Sequence, residues 1–562
     1  MKPYWNQEVD LLVVGSGGGG MTAALVAKSK GLDVVVIEKT AFYGGSTARS
    51  GGGLWIPNNY LLEQAGVEDS FEKARQYMKN TVGERVAQKL QDAYLTHSPR
   101  MITWLRDNTC VQFQRTPNYA DYYPERPGGV PASRSLEPVP FNGKKLGDEL
   151  ARLRKPMAEA PGGLAFTASD YQKIGMLTST WAGKFTSIKA GLLWIRNLLT
   201  GVRCLTMGQA LSGRLRYAMQ QADIPLWLNT AFQELVVENG NVSGITAEKD
   251  GQRIRIRARK GVILAAGGFS HNLEMRKKYL PQPASIEWTV ACPGNTGDAI
   301  QAGIQLGAAT DLMDDAWWGT SSRPPDEEAF FHVGERGYPG GLMVNGAGRR
   351  FVNESAPYID VVNRMYTNHS EEVPHIPAYF LFDQRYRNKY LLGTFFPMLP
   401  IPKRYFENGY ICRAKTIASL AHQIGVDEVA LASTIERFNE FARSGKDLDF
   451  QRGASVYDNY YGDPSVKPNP NLAPLQKPPF YALKMWPGDL GTKGGLVTDE
   501  WARVLRADGT PIQGLYAVGN SMASVMGNSY PGAGATIGPA MTFGYLAAHY
   551  INHQVKCQHE SL

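Results

Sequence analysis

VDLLVVGSGGGGMTAALVAKSKGLDVVVIE, residues 9–38, decides how this chain begins to fold. Val9–Val14 is a short apolar run, the pattern of a strand buried on both faces. GSGGGG comes next, a helix is expected over Met21–Lys30, and a second apolar strand over Asp33–Ile37 closes on Glu38. Strand, glycine turn, helix and strand make a βαβ unit, and Gly15, Gly17 and Gly20, with Gly18 between them, fit the spacing GxGxxG. The first glycine of such a turn permits the tight bend, the second lets a pyrophosphate approach the backbone, and the third lets helix and strand pack closely. The helix N-terminus then offers free N–H groups and the positive end of its dipole to phosphates. Glu38 stands 18 residues after Gly20, where a carboxylate can accept from ribose hydroxyls. The unit predicts a dinucleotide site.

The residues beyond Glu38 favour FAD over NAD. Lys39–Ser46 (KTAFYGGS) runs on into Gly44, Gly45 and Ser46, and Ser50–Trp55 (SGGGLW) adds Gly52 and Gly53. An NAD fold would move on to its next strand and helix here, whereas a long glycine-lined segment suits an isoalloxazine ring lying along backbone. Two later strands of the buried type end on further candidates for cofactor contact. Gly261–Ala266 ends on Ala266 and Gly267, and Gly514–Val518 on Gly519 and Asn520. Thr536 and Ile537, in GATIGPA, precede an apolar helix over Met541–Ile551. That second helix N-terminus could stabilise negative charge on the pyrimidine side of a reduced flavin.

Pieces of one nucleotide-binding fold therefore lie at both ends of a 562-residue chain. The expected architecture is α/β: a Rossmann-like FAD-binding domain in two parts, about 1–315 and 492–562, with an inserted α+β catalytic cap over about 316–491. The five cysteines, Cys110, Cys204, Cys292, Cys412 and Cys557, show no CxxC and no short spacing, so they read as reduced thiols, with no metal site. No charged segment leads into an apolar one at the N-terminus, and no run of about 20 apolar residues occurs. The expectation is a cytoplasmic protein.

The net charge of +7 is local. Tyr171 to Ala222 contains no acid and seven bases: Lys173, Lys184, Lys189, Arg196, Arg203, Arg214 and Arg216. Within it, Ile174–Arg203 mixes those bases with apolar and aromatic side chains, a pattern that suits the surface of an anionic membrane, here the inner face of the cell membrane. The competing expectation is an ordinary helix packed on the core or at an oligomer interface. Nucleic acid is disfavoured as a partner, because the interleaved residues are aliphatic as much as aromatic.

Five segments together resemble one family: VVGSGGGGMTAA (13–24), EKTAFYGGSTARSGGGLW (38–55), GTKGGLVTD (491–499), GLYAVGN (514–520) and YPGAGATIGPAMTFGYLAA (530–548). They resemble the bacterial 3-ketosteroid Δ1-dehydrogenases, along nearly the whole chain except roughly 165–204, where an insertion is expected. The resemblance implies FAD as cofactor, a 3-ketosteroid substrate and a quinone or similar electron acceptor. It further implies Tyr358, in NESAPY, as the base for the C2 proton, and Tyr530 and the Gly534 N–H, both in YPGAG, as donors to the C3 carbonyl. Tyr122, in DYY, would assist Tyr358, with Tyr119 and Tyr123 close enough to exchange with it by a shift of register. FAD N5 would accept hydride from C1. Asn520 stands where several flavoproteins of the wider group carry an acid; an amide still bonds ribitol hydroxyls.

The chemistry is coherent. A C–H beside a ketone is weakly acidic, and its charge develops on the carbonyl oxygen, where two donors form an oxyanion hole. A phenol with a pKa of about 10 is a poor base at neutral pH, and a neighbouring donor would favour its phenolate. A Δ4-dehydrogenase of 5α-3-ketosteroids would use similar tyrosines and remains an alternative reading. A fumarate-type dicarboxylate reductase would need clustered Arg and His, which the inserted region does not show. A non-catalytic sterol-binding flavoprotein would not need Tyr358 and Tyr530 together in their motifs.

Overall fold

The computed structural model describes residues 5–132, 134–157 and 164–559, with side chains described as far as residue 553. The opening unit forms as strand Gln7–Val14, helix Gly18–Ser29 and strand Val34–Ile37. The two strands pair in parallel, Leu11 opposite Val34, and on its other edge the first strand pairs in parallel with Gln252–Leu264, Val13 opposite Ile263. Pro511–Ala517 extends the same sheet in parallel from some 250 residues further on. The strands at 241–249 and 230–238 branch off it antiparallel. Leu11, Leu12 and Val13 are fully buried. Such complete burial on both faces is the reason the strand reads as a continuous apolar run, and each side chain contributes about 1.5–3 kcal/mol of transfer free energy.

The helix Ile537–His559 crosses the first helix at a glycine contact. A Cβ on Gly19 would stand 2.6 Å from the Ala540 carbonyl oxygen, and one on Gly544 would stand 2.4 Å from the Gly19 oxygen. This close crossing aims both helix N-termini at one cavity. A second sheet is antiparallel and six-stranded, built on Ala316–Ser322 and the long strand Phe480–Thr492. The helix Tyr358–Asn368 packs on Ala316–Ser322, so Tyr358 sits at a helix start directly over the cavity.

The basic insertion is two helices where the sequence pattern suggested one amphipathic segment. Thr167 and Asp170 form a capping box for Ala168–Ile174, and Thr180 caps Trp181–Thr200, which ends at Gly201 in the left-handed conformation. The new N-cap at Thr180 separates them. Ile174 and Met176 turn inward. On the longer helix only Gly183 is buried. Among the described residues no helix is long and apolar enough to cross a membrane, and no cluster could hold a metal ion. Cys110, Cys204, Cys292 and Cys412 are free thiols; the side chain of Cys557 lies outside the described ones.

Candidate active site

One cavity of about 860 Å³ runs between the two sheets. Its cradle end divides the labour among the glycines. Gly15 has φ +110°, and a Cβ there would stand 2.3 Å from the Ala265 carbonyl oxygen. A Cβ on Gly20 would stand 2.3 Å from the Gly15 oxygen. A Cβ on Gly17, by contrast, would meet only Thr47 Oγ1, at 3.8 Å, so the space over Gly17 is left to a ligand. Gly17 caps the first helix with no side-chain hydrogen bond, which leaves N–H groups of the first turn facing that space.

Glu38 lines the cavity beside Ser16, whose hydroxyl donates to Glu38 Oε2 at 2.7 Å. Thr40 donates to the other carboxylate oxygen. Lys39 lines it too, with Nζ 2.7 Å from Asp298 Oδ2. Ser46 accepts from the Cys292 N–H and from Asn295 Nδ2, which ties the segment after Gly45 to the far wall. Gly18, Gly45, Gly52, Gly53, Ala266, Gly267, Gly519, Asn520, Thr536 and Ile537 complete the expected lining. Asn520 is oriented by Trp317, whose Nε1 donates to its Oδ1 at 3.2 Å. Gly44 is the exception. It does not line the cavity: at φ +103° it caps the short helix Gly45–Arg49, and its N–H donates to Ser16 Oγ. Its need for glycine is conformational. The cradle, two helix N-termini and the Glu38 carboxylate fit FAD.

At the other end three tyrosines meet. Tyr122 donates to Tyr358 at 2.8 Å between hydroxyl oxygens. Their rings stand edge to face, Tyr530 stands edge to face with Tyr358 at 5.4 Å, and Tyr122 lies 5.1 Å from Tyr530. The register of the DYY segment is decided by the neighbours' partners: Tyr461 donates to Tyr119, and Tyr123 donates to Asp360. Tyr530 OH and Thr536 Oγ1 are 3.1 Å apart. Gly534, at φ +97°, shares this wall, and a Cβ there would stand 2.4 Å from the Leu54 nitrogen. The three phenols therefore surround a space bounded by the Gly534 backbone.

Burial pushes the Tyr358 phenol well above its ordinary value, and the nearby Tyr530 and Tyr119 phenols add to that; the Tyr122 O–H, donating to its oxygen, pulls the other way. Burial likewise raises Tyr122 and Tyr530. The donor expected from the sequence is present, and desolvation outweighs it.

Several lining residues carry no signal in the sequence read alone. Phe330, Phe331, Tyr461 and Leu391 form apolar and aromatic wall, and Phe166, Tyr171 and Ile174 bring the basic insertion onto the same cavity. Ser16 was within reach, since it lies between the first two glycines of the motif.

The sequence matches the family model described as FAD binding domain over residues 10–537. It is 49% identical over 557 residues to the 3-oxosteroid 1-dehydrogenase of Mycobacterium tuberculosis, covering 98% of this chain and 99% of that one. It is 47% identical to the enzyme of the same name from Mycolicibacterium smegmatis, covering 96% and 97%. The chain belongs to the 3-oxosteroid 1-dehydrogenase family. Among solved structures, it superposes on the 3-ketosteroid Δ1-dehydrogenase of Sterolibacterium denitrificans, in complex with 1,4-androstadiene-3,17-dione, with a TM-score of 0.94. That pair is 41% identical, over 98% of this chain and 100% of the other. Membership makes the protein an FAD-dependent oxidoreductase.

Proposed function

We propose that the protein introduces the 1,2 double bond into the A-ring of 3-ketosteroids. The observation that carries this reading is the meeting of Tyr122, Tyr358 and Tyr530 beside the Gly534 backbone in the cavity that also holds the FAD cradle. Tyr358 takes the C2 proton as the C2–H bond breaks. The electron pair it leaves becomes the C1=C2 bond as C1 loses hydride. Bound FAD supplies the acceptor for that hydride. Charge developing on the C3 oxygen is met by the Tyr530 hydroxyl and the Gly534 N–H, two donors on one wall of the cavity. The Tyr122 O–H stabilises the phenolate of Tyr358, and so partly offsets the desolvation that holds it protonated.

Anaerobic addition of androst-4-ene-3,17-dione to the holoenzyme is expected to bleach the flavin, with a product 2 mass units lighter that carries a 1,4-diene. Bleaching by fumarate's reduced partner succinate instead, or a 4,5 double bond formed from a 5α-steroid with no 1,2 product, would overturn the assignment.

A second reading concerns where substrate comes from. Trp181, Phe185, Ile188, Leu192, Ile195 and Leu199 are all exposed, from 49% at Ile195 to 84% at Leu199. At about 100° per residue they fall within an arc of roughly 80°, with Lys184 on one border and Lys189 and Arg196 on the other. An unpaired apolar stripe bordered by bases fits the headgroup boundary of an anionic lipid surface. The shorter helix beside it contributes Tyr171 and Ile174 to the cavity wall, so a sterol-like substrate, and a quinone-type electron acceptor, would arrive from lipid next to the site. The flavin-loaded parent is expected to co-sediment with phosphatidylglycerol vesicles, and Phe185→Ser/Leu192→Ser/Ile195→Ser to lose that co-sedimentation. Equal sedimentation of both overturns this reading, as does a parent dimer in solution that the substitutions dissociate.

A further inference from the structure

Lys493, in the GTKGG segment directly after the strand Phe480–Thr492, is completely buried. A buried ammonium is costly unless paired and hydrogen-bonded, so its partners show what it is for. Its Nζ lies 3.1 Å from Asp315 Oδ2 and donates to the Ser529 carbonyl oxygen at 3.0 Å. Asn528 Nδ2 donates to the same carboxylate oxygen at 3.0 Å. The backbone repeats the tie: the Lys493 N–H donates to the Asp315 carbonyl, and the Ser524 N–H to the Lys493 carbonyl. The Trp317 ring lies 5.0 Å from the ammonium and 4.8 Å, edge to face, from the Tyr530 ring. One cation thus joins the end of a strand of the second sheet, the residue immediately before its neighbour Ala316–Ser322, and the residue immediately before Tyr530.

We propose that Lys493 is a positioning residue for the carbonyl-binding pair: with Asp315 and Asn528 it holds the 524–529 loop so that Tyr530 and the Gly534 N–H converge on a single oxygen. This rests on the reading of that wall as the place of the C3 carbonyl. Lys493 lies behind Ser529 and Trp317 and acts on Tyr530 through them. A hydrophobic residue of similar length would fill the volume and leave the Ser529 carbonyl without its donor. Two donors act as one oxyanion site only if both reach the same atom at hydrogen-bonding distance, and hydrogen bonds weaken steeply with misalignment. Loss of the clamp should therefore be felt by the C3 oxygen and little by the rest of the steroid.

The test uses flavin-loaded wild type, Lys493→Met/Asp315→Asn, Tyr530→Phe and the triple variant; pairing the first two changes avoids a stranded carboxylate. Turnover of androst-4-ene-3,17-dione is measured, together with the affinity for 1,4-androstadiene-3,17-dione and for a 3-deoxy analogue, read from the flavin spectrum. Lys493→Met/Asp315→Asn is expected to lower kcat about 10- to 100-fold, less than or equal to the loss of a whole oxyanion donor. It should weaken the 3-oxo ligand about tenfold, leave the 3-deoxy ligand unchanged, and add nothing to the loss already caused by Tyr530→Phe. Equal weakening of both ligands, or losses that add to those of Tyr530→Phe, overturn the proposal. If the paired variant does not fold, Asn528→Ala is read with the same two ligands: selective weakening of the 3-oxo ligand supports the clamp, and equal weakening overturns it. A wild type that neither turns over the steroid nor prefers the 3-oxo ligand sinks the reading of the pocket itself. A wild type that does both, beside an unselective variant, sinks only the role of Lys493.

Discussion

The cradle and the tyrosine pocket are two ends of one cavity, built by opposite means. At the cradle, the glycine turn is backbone contiguous in sequence, and its side chains matter chiefly by being absent: Gly15, Gly17 and Gly20 lie within six residues. At the pocket, the contacts are side-chain hydroxyls delivered from three distant segments, with Tyr122 and Tyr358 alone 236 positions apart. A site made of backbone tolerates changes that leave room and fails when a Cβ intrudes. A site made of converging hydroxyls fails when one oxygen is lost, even though the fold is untouched.

The sharpest break in that comparison is expected from Tyr358→Phe. It should retain flavin and melt as the wild type does, yet lose on the order of 10²- to 10⁴-fold in kcat, the usual worth of a positioned base. Flavin reduction at an unchanged rate in a stopped-flow trace would remove Tyr358 from the role of base. Tyr530→Phe comes next, at roughly 10²- to 10³-fold in kcat, if it is one of two oxyanion donors; a loss confined to KM would mean that it merely binds substrate.

Gly17→Ala probes the other end. The apo protein has space for the added methyl, so thermal stability without flavin should be unchanged, while flavin affinity falls about tenfold or more. Titration of apoprotein with FAD decides it, and unaltered affinity would mean that no phosphate approaches Gly17. Gly44→Ala is the counterpart: its backbone is left-handed and a Cβ would stand 2.7 Å from the Ala48 Cβ, so it should cost more than the roughly 1–2 kcal/mol of the backbone strain alone, with the flavin affinity of the folded fraction preserved.

The smallest effect concerns pH. Because burial holds the Tyr358 phenol above its ordinary range, the basic form grows as pH rises, and log kcat/KM should climb between pH 7 and about 10 without a plateau. Tyr122→Phe removes a donor that stabilises the phenolate, so the limb should move to higher pH, with a loss of about tenfold at neutrality if the donor is worth one pKa unit. A profile that is flat and indifferent to Tyr122→Phe would contradict a phenolate base.

The legible and illegible parts of the site divide along the same line. Glu38 and the glycines were readable because a βαβ turn is a local object whose spacing is set by backbone geometry. Tyr122 could be narrowed only to a group of three, since Tyr119 and Tyr123 lie beside it in sequence and differ from it in their partners, Tyr461 and Asp360. The basic insertion was recognisable by composition, but its division at Thr180, with one helix on the cavity and one in solvent, depended on which apolar side chains found the core. Lys493 was invisible for a simpler reason. A lysine among glycines reads as a solvated turn, and only the packing of two strands and the Tyr530 loop around it makes it a buried cation.

By itself, then, the sequence determined what local geometry can determine: a parallel nucleotide-binding unit and its glycine turn; motif resemblance added the phenols that the structure brings together, Tyr122, Tyr358 and Tyr530. The tertiary structure alone decided which hydroxyl of the DYY segment faces Tyr358, that Gly44 is held at φ +103° with its N–H on Ser16 Oγ, and that desolvation outweighs the hydrogen bond on the proposed base. The physical reason is range. Turn geometry and strand pairing are written in neighbouring residues, whereas desolvation and the convergence of donors on one atom exist only after segments hundreds of residues apart have packed together.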